Sequence, residues 1–291
     1  MPDERDGSAD GEFRTERSPA PLKIGLVGGL SFPSTVTYYD RINRLVNRRL
    51  GKAHSPRIAL ESLDFQPMVE RIAARDGEAV AAEIGAAARR LAASGADFYA
   101  IACNTVHEFA PLIERHTALP LLDICVATAE ETSRRGVSTV GLLGSAFSME
   151  QAFYRDRFTA RGIKVVVPEA PDRAFMQDSI ERELCTGDIS VATRERFARI
   201  ARDALAAGAE ALVLACTEVP LVIRAEDFDC PVIDTVDVHT TAIVERALAP
   251  LGPDHRPGPD RRPGPDHRPG PDTLSATDVP LVPQAPLAEA T

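Results

Sequence analysis

The sequence predicts an α/β fold with parallel sheets, arranged as two similar domains around a cleft. Three observations lead there. Short, near-continuous apolar runs alternate with longer stretches of helical periodicity, the pattern of strands covered by helices on both faces. Gly95, Gly136, Gly162 and Gly208 stand where the helical stretches should stop. Three landmarks recur in the same order in the two halves of the chain, which marks an internal repeat.

In chain order, residues 1–21 are polar and charged and read as a disordered tail. Strands are expected at 23–28, 57–63, 97–102, 120–123, 138–143, 163–168, 210–215 and 231–234, each an apolar run bounded by polar or turn residues. Helices are expected at 34–50, 69–93, 172–185, 190–207 and 236–249. The first of these carries Val36, Tyr39, Ile42, Leu45 and Val46 at helical spacing. From Gly252 the chain repeats GPDHRP, GPDRRP, GPDHRP and GPD. Proline removes backbone donors and nothing apolar is available to bury, so 251–291 reads as a disordered, Pro/Gly-rich tail. His255 and His267 within it could tether a metal or partner; a dispensable extension is the plainer reading.

The repeat is specific. Gly95-Ala-Asp-Phe-Tyr-Ala-Ile-Ala-Cys103 answers Gly208-Ala-Glu-Ala-Leu-Val-Leu-Ala-Cys216, with glycines and cysteines both 113 residues apart. Pro120 and Asp123 answer Pro231 and Asp234 at an offset of 111. Ile24-Gly-Leu-Val-Gly28 answers Val140-Gly-Leu-Leu-Gly144 at 116. The fold class is therefore α/β, with two similar Rossmann-like (flavodoxin-like) domains related by a pseudo-twofold. The expected division is 22–122 plus 235–250 for the first domain and 123–234 for the second. The last helix then packs back on the first domain.

Composition limits the function. The net charge is −10, which argues against a nucleic-acid partner. No apolar run approaches the ~18 residues of a membrane span. The acidic N-terminus has no apolar core behind it, so it does not read as a secretory signal. Five widely spaced cysteines without a C-x-x-C pair suggest neither a disulfide framework nor zinc. A cytoplasmic location and no metal are expected.

Ligands of parallel α/β sheets bind beyond the carboxyl ends of the strands. Cys103 and Cys216 each end an apolar strand and, on this reading, begin a helix, whose N-terminus would lower the thiol pKa. Facing domains would set the two thiols across one cleft. One thiolate could then take a proton from carbon while the opposite thiol returns one to the other face, inverting the centre. Either cysteine alone reads as a small buried residue. The repeated context, with Asn104-Thr105 and Thr217-Glu218 just beyond, favours chemistry. Cys125, Cys185 and Cys230 lack that context and read as structural. Asp123 and Asp234 read as helix N-caps. Asp64 ends a strand at the same rim and is a weaker site candidate. His107, four residues after Cys103, has two readings: a partner that tunes the thiol, or a structural histidine on a helix face.

Gly28-Gly29-Leu30-Ser31, Cys103-Asn104-Thr105-Val106-His107 and Ala215-Cys216-Thr217-Glu218 resemble the aspartate/glutamate racemase family, the cofactor-independent amino-acid racemases. The resemblance covers about 22–250. The stretches Ser31-Phe-Pro-Ser-Thr35, Ser62-Leu-Asp-Phe65 and Pro168-Glu-Ala170 are similar to its aspartate branch. It implies that Cys103 and Cys216 are the proton acceptor and donor. It also implies that Asn104, Thr105 and Thr217 bind substrate carboxylate and amine. Gly29, Leu30 and Ser31 would form the floor, with Glu218 beside the second thiol. Arg173 is the candidate partner of the substrate's side-chain carboxylate. A homodimer and a small amino-acid substrate are implied as well.

A weakly acidic α-proton needs its carbanion stabilised. Pyridoxal phosphate would do so through a lysine. Lys23, Lys52 and Lys164 are the only lysines, and none ends a strand, so no cofactor is expected. Hydrogen bonds to the substrate carboxylate would serve instead. The scaffold also resembles maleate isomerases and arylmalonate decarboxylases. A reading of another class is a small-acid-binding sensor, which would need a cleft but not two thiols. Pairing of Cys103 with Cys216 as a disulfide would inactivate the enzyme. A nicotinamide site is rejected because Gly25-Leu-Val-Gly28-Gly29 does not fit G-x-G-x-x-G.

Overall fold

A computed structural model describes residues 20–252. Both tails, the GPDHRP repeat included, lie outside the described residues. Two parallel sheets organise the chain. In the first, β1 (Ile24–Gly28) lies between β2 (Ile58–Ser62) and β3 (Phe98–Ile101). In the second, the order is β5 (Lys164–Val166), β4 (Thr139–Gly144), β6 (Ala211–Ala215) and β7 (Val232–Asp234). β1 corresponds to β4, β2 to β5 and β3 to β6, so the sequence repeat is a repeat of strand order. Strands β1, β3 and β6 are buried throughout, which explains their unbroken apolar runs.

The position matching β7 in the first sheet is different. The strand expected at 120–123 is reduced to one parallel bridge, Tyr99 with Leu121. The chain leaves the sheet at once because Asp123 caps the next helix, its carboxylate accepting from the N–H groups of Cys125 and Val126.

Ten α-helices cover the sheets among the described residues. They are α1 (Phe32–Leu50), α2 (Phe65–Ala73), α3 (Gly77–Ala93), α4 (Ala110–Ile113), α5 (Ile124–Arg134), α6 (Ala146–Glu150), α7 (Ala152–Thr159), α8 (Ala170–Ser179), α9 (Val191–Ala206) and α10 (Thr235–Leu248). The single helix expected at 69–93 is two helices. Arg75 takes a positive φ of 57° and Asp76 caps the second, accepting from the Ala79 N–H. The helix expected at 172–185 ends at Ser179 and continues as a π-turn over Ile180–Leu184. In α1 the buried face is Thr35, Tyr38, Ile42 and Val46. Val36 and Tyr39, expected on the apolar stripe, are 60% and 52% exposed. The face is turned toward Tyr38, whose hydroxyl pairs with a buried histidine of α10.

Two helices change sides. Ile124, Cys125 and Ala129 of α5 pack with Val140, Leu142 and Val213 of the second sheet. Val236, Ile243 and Val244 of α10 pack with Ile24, Leu26 and Phe98 of the first. The chain therefore passes from one core to the other at Leu122–Asp123 and returns at Asp234–Thr235.

Candidate active site

Cys103 follows β3, and the next element is a five-residue 3-10 turn, Thr105–Phe109. The N–H groups of Val106 and Thr105 and the Thr105 hydroxyl point at the Cys103 sulfur. Burial nevertheless pushes this thiol up from its ordinary pKa, against those donors, and the Glu218 charge adds to the rise. The expected lowering by a helix N-terminus is thus corrected. A short turn has no long column of aligned peptide dipoles, and desolvation of the thiolate outweighs its few donors.

Cys216 follows β6, and its turn is shorter still, with a 3-10 segment at Val219–Leu221. Its thiol donates to Glu218 Oε2 at 2.9 Å, and the Thr217 hydroxyl donates to the same oxygen at 2.7 Å. Burial first, then Glu218, push this thiol well above its ordinary range. The helix-terminus expectation fails here for the same reason, and a carboxylate neighbour adds to it.

Contacts from the two cores converge on these turns. The Ser34 hydroxyl of α1 donates to the Thr217 hydroxyl at 3.0 Å. Asn104 is buried. Its Oδ1 accepts from the Tyr154 hydroxyl of α7, and Thr235 Oγ1 of α10 lies 3.4 Å away. The Thr235 hydroxyl gives its one proton to the Leu214 carbonyl at 2.9 Å, so the Tyr154 hydroxyl is what orients the amide, leaving Nδ2 to donate elsewhere. Phe147, after β4, packs against both cores. Glu218 raises both thiols, so its charge reaches both turns.

The loop after β1 supplies backbone. Gly29 and Ser31 take φ of 79° and 82°. A Cβ on Gly29 would lie 2.1 Å from the Leu63 carbonyl oxygen, so only glycine fits. Its N–H donates to Thr35 Oγ1 at 2.9 Å, and that hydroxyl donates to the Ser31 carbonyl at 3.1 Å. The Leu30 side chain is buried in the first core, leaving its backbone for the loop.

Other candidates take structural partners. Asp64 caps α2, accepting from the Gln66 N–H at 3.3 Å. Arg173 pairs with Glu150 at 2.9 Å and donates to the Pro168 carbonyl at 2.7 Å, with no partner from either thiol turn. His107 is fully buried, with Nδ1 2.8 Å from the Cys103 carbonyl oxygen. Asp234, like Asp123, caps the helix that changes sides, accepting from the Val236 N–H at 2.9 Å. Sequence reasoning missed Ser34, Tyr38, Tyr154, Thr235 and His239. Their only sequence signal is a polar group on a helix face that is otherwise apolar.

The model of the Asp/Glu/hydantoin racemase family matches residues 27–243. This chain belongs to that family. A protein from Yersinia pestis assigned as an Asp/Glu racemase is 38% identical, with a TM-score of 0.76 over 78% of this chain and 99% of that one. An aspartate racemase homologue from Pyrococcus horikoshii OT3 is 29% identical, with a TM-score of 0.69 over 78% and 99%. The broad-specificity amino-acid racemase RacX of Bacillus subtilis (strain 168) is 22% identical over 73% of this chain and 92% of its own. The two parallel sheets agree with the α/β architecture of these racemase structures. Among the described residues, no helix is long and apolar enough to cross a membrane.

Proposed function

We propose that this protein is a pyridoxal-phosphate-independent racemase that inverts aspartate or glutamate by a two-base mechanism, with Cys103 and Cys216 as the bases. The observation that carries this reading is the unlike surroundings of two thiols at matching strand ends. Donors at Cys103 Sγ partly offset the burial that raises this thiol, easing formation of its thiolate. A carboxylate at Cys216 Sγ favours a thiol. One turnover needs one of each.

The Cys103 thiolate takes the α-proton. The electron pair passes into the α-carboxylate, where the Asn104 amide, Thr105 and the backbone N–H groups of Leu30 and Ser31 can hold the charge, joined by Thr217 once its hydroxyl turns from Glu218. The Cys216 thiol gives its proton to the opposite face, leaving Cys103 protonated and Cys216 as thiolate. The reverse reaction uses the pair in that state. Lys23 precedes β1 and Lys164 opens β5. Both therefore lie at the opposite strand ends from the cysteines, a poor place for an internal Schiff base. The name of the Pyrococcus relative supports aspartate, and that of RacX supports a wider range.

Proton NMR in D₂O tests the proposal. The protein, with reductant and no added cofactor, should exchange the α-proton of L-aspartate or L-glutamate as the D-enantiomer grows. Cys103→Ser and Cys216→Ser should each stop inversion. Inversion that survives either substitution would reject the two-thiol reading, and no exchange with either amino acid would reject aspartate and glutamate as substrates. An acid panel including maleate would follow.

A further inference from the structure

Behind Cys103 lies a buried cluster that the proton transfers do not use. We infer that His107 is a positioning residue: its imidazole clamps the Cys103 carbonyl and so holds the turn whose amides face the sulfur. The inference rests on the assignment of Cys103 as a base.

A carbonyl oxygen can only accept, so Nδ1 of His107, 2.8 Å from it, carries the proton. Burial pulls the His107 pKa down, and the ring is neutral. Nε2 is then a bare acceptor, and it is buried with no hydrogen-bond partner among the described residues. An unpaired buried nitrogen costs stability that a leucine would not. The bond from Nδ1 is what offsets it.

The clamp is short and local. The His107 N–H also donates to the Asn104 carbonyl at 3.2 Å. One residue thus grips both peptide groups flanking Asn104, and the Thr105 and Val106 amides follow their planes. His239 of α10 braces the ring edge-on, with centroids 5.9 Å apart. His239 is itself held at both nitrogens, by the Leu122 carbonyl and the Tyr38 hydroxyl, each at 2.8 Å. The charged groups facing His107 are Asp123 and Arg157, and Glu218 faces Cys103.

Three variants and one wild-type spectrum test this. Asparagine places an amide N–H near the position of Nδ1; glutamine and leucine do not. The readout is the pH profile of Cys103 alkylation by iodoacetamide, followed by peptide mass spectrometry, which reports the thiol whether or not an amino acid is racemised. His107→Leu and His107→Gln should move the Cys103 profile up by about one pH unit. They should lower kcat about 30-fold with KM within about twofold. His107→Asn should restore both to within about threefold. A wild-type Cys103 profile in His107→Leu, or a folded His107→Asn as impaired as His107→Leu, would overturn the inference. The wild-type readout needs no variant to fold. With ¹⁵N-histidine labelling, one exchange-protected ring should carry its proton on Nδ1 and another, His239, on Nε2. A spectrum lacking the Nδ1–H form would also overturn it.

Discussion

The turns after β3 and β6 occupy matching places in the two sheets, yet their sulfurs meet opposite neighbours. Around Cys103 are N–H and O–H donors. Beside Cys216 is a carboxylate that accepts a hydrogen bond from the thiol and so holds it protonated. The loops after β1 and β4 differ as well. Gly29 adopts a left-handed φ, with its N–H given to Thr35 Oγ1 at 2.9 Å. Its counterpart Ser145 is an ordinary N-cap, and the next N–H, of Ala146, is occupied by Gln177 Oε1 at 2.9 Å. Duplication supplied two equivalent strand ends, and divergence in a few polar residues made them unlike. Under the proposed reaction that asymmetry is useful, because identical surroundings would favour two thiols or two thiolates together.

Removing one sulfur should break the comparison most strongly. Cys103→Ala and Cys216→Ala should each lower racemisation by about 10³-fold, within the usual range for a lost general base. Each should leave slow α-proton exchange from only one enantiomer, and the two variants should spare opposite ones. Chiral analysis beside deuterium uptake checks this. Retention of the same enantiomer by both would mean that the thiols do not face opposite sides of the substrate.

The two glycine-loop counterparts should differ in stability. Gly29→Ala forces a Cβ into the Leu63 backbone at a positive φ and should cost about 3 kcal/mol. Ser145→Ala loses the cap to the Ser148 N–H and a contact with the Ser148 hydroxyl and should cost about 1 kcal/mol. Urea unfolding of the two variants measures the gap.

The smallest effect sharpens the electrostatic contrast. A neighbouring anion raises a thiol pKa, so Glu218→Gln should shift Cys216 alkylation to lower pH. Cys103 should shift in the same direction by less, since Glu218 hydrogen-bonds the Cys216 thiol and reaches Cys103 only through its charge. The turnover loss should be about fivefold, or about 1 kcal/mol. Equal shifts at both thiols would mean that Glu218 does not distinguish the two turns.

Much of this was legible in the chain. Buried parallel strands leave unbroken apolar runs, and helix caps leave Asp123 and Asp234 at fixed offsets, because both are short-range effects. The failures were long-range. The run at 120–123 looks like its partner at 231–234, but only the latter pairs along its length; the former yields a single bridge. Val36 and Tyr39 fit a helical stripe, but the buried face turns to satisfy Tyr38 through His239, 201 residues away. Asp64 stands at the rim but spends its carboxylate on a cap.

By itself the sequence determined the fold class, the repeat and the two cysteine turns, since period, spacing and strand-end motifs are properties of neighbouring residues. Only the tertiary structure decided the state of the sulfurs. Desolvation reversed the pKa direction that a helix terminus had suggested. Helix α7 of the second core and the crossover helix α10 brought Tyr154, Thr235 and His239 behind the Cys103 turn. Burial and hydrogen bonding depend on residues far apart in the chain, and no local pattern records them.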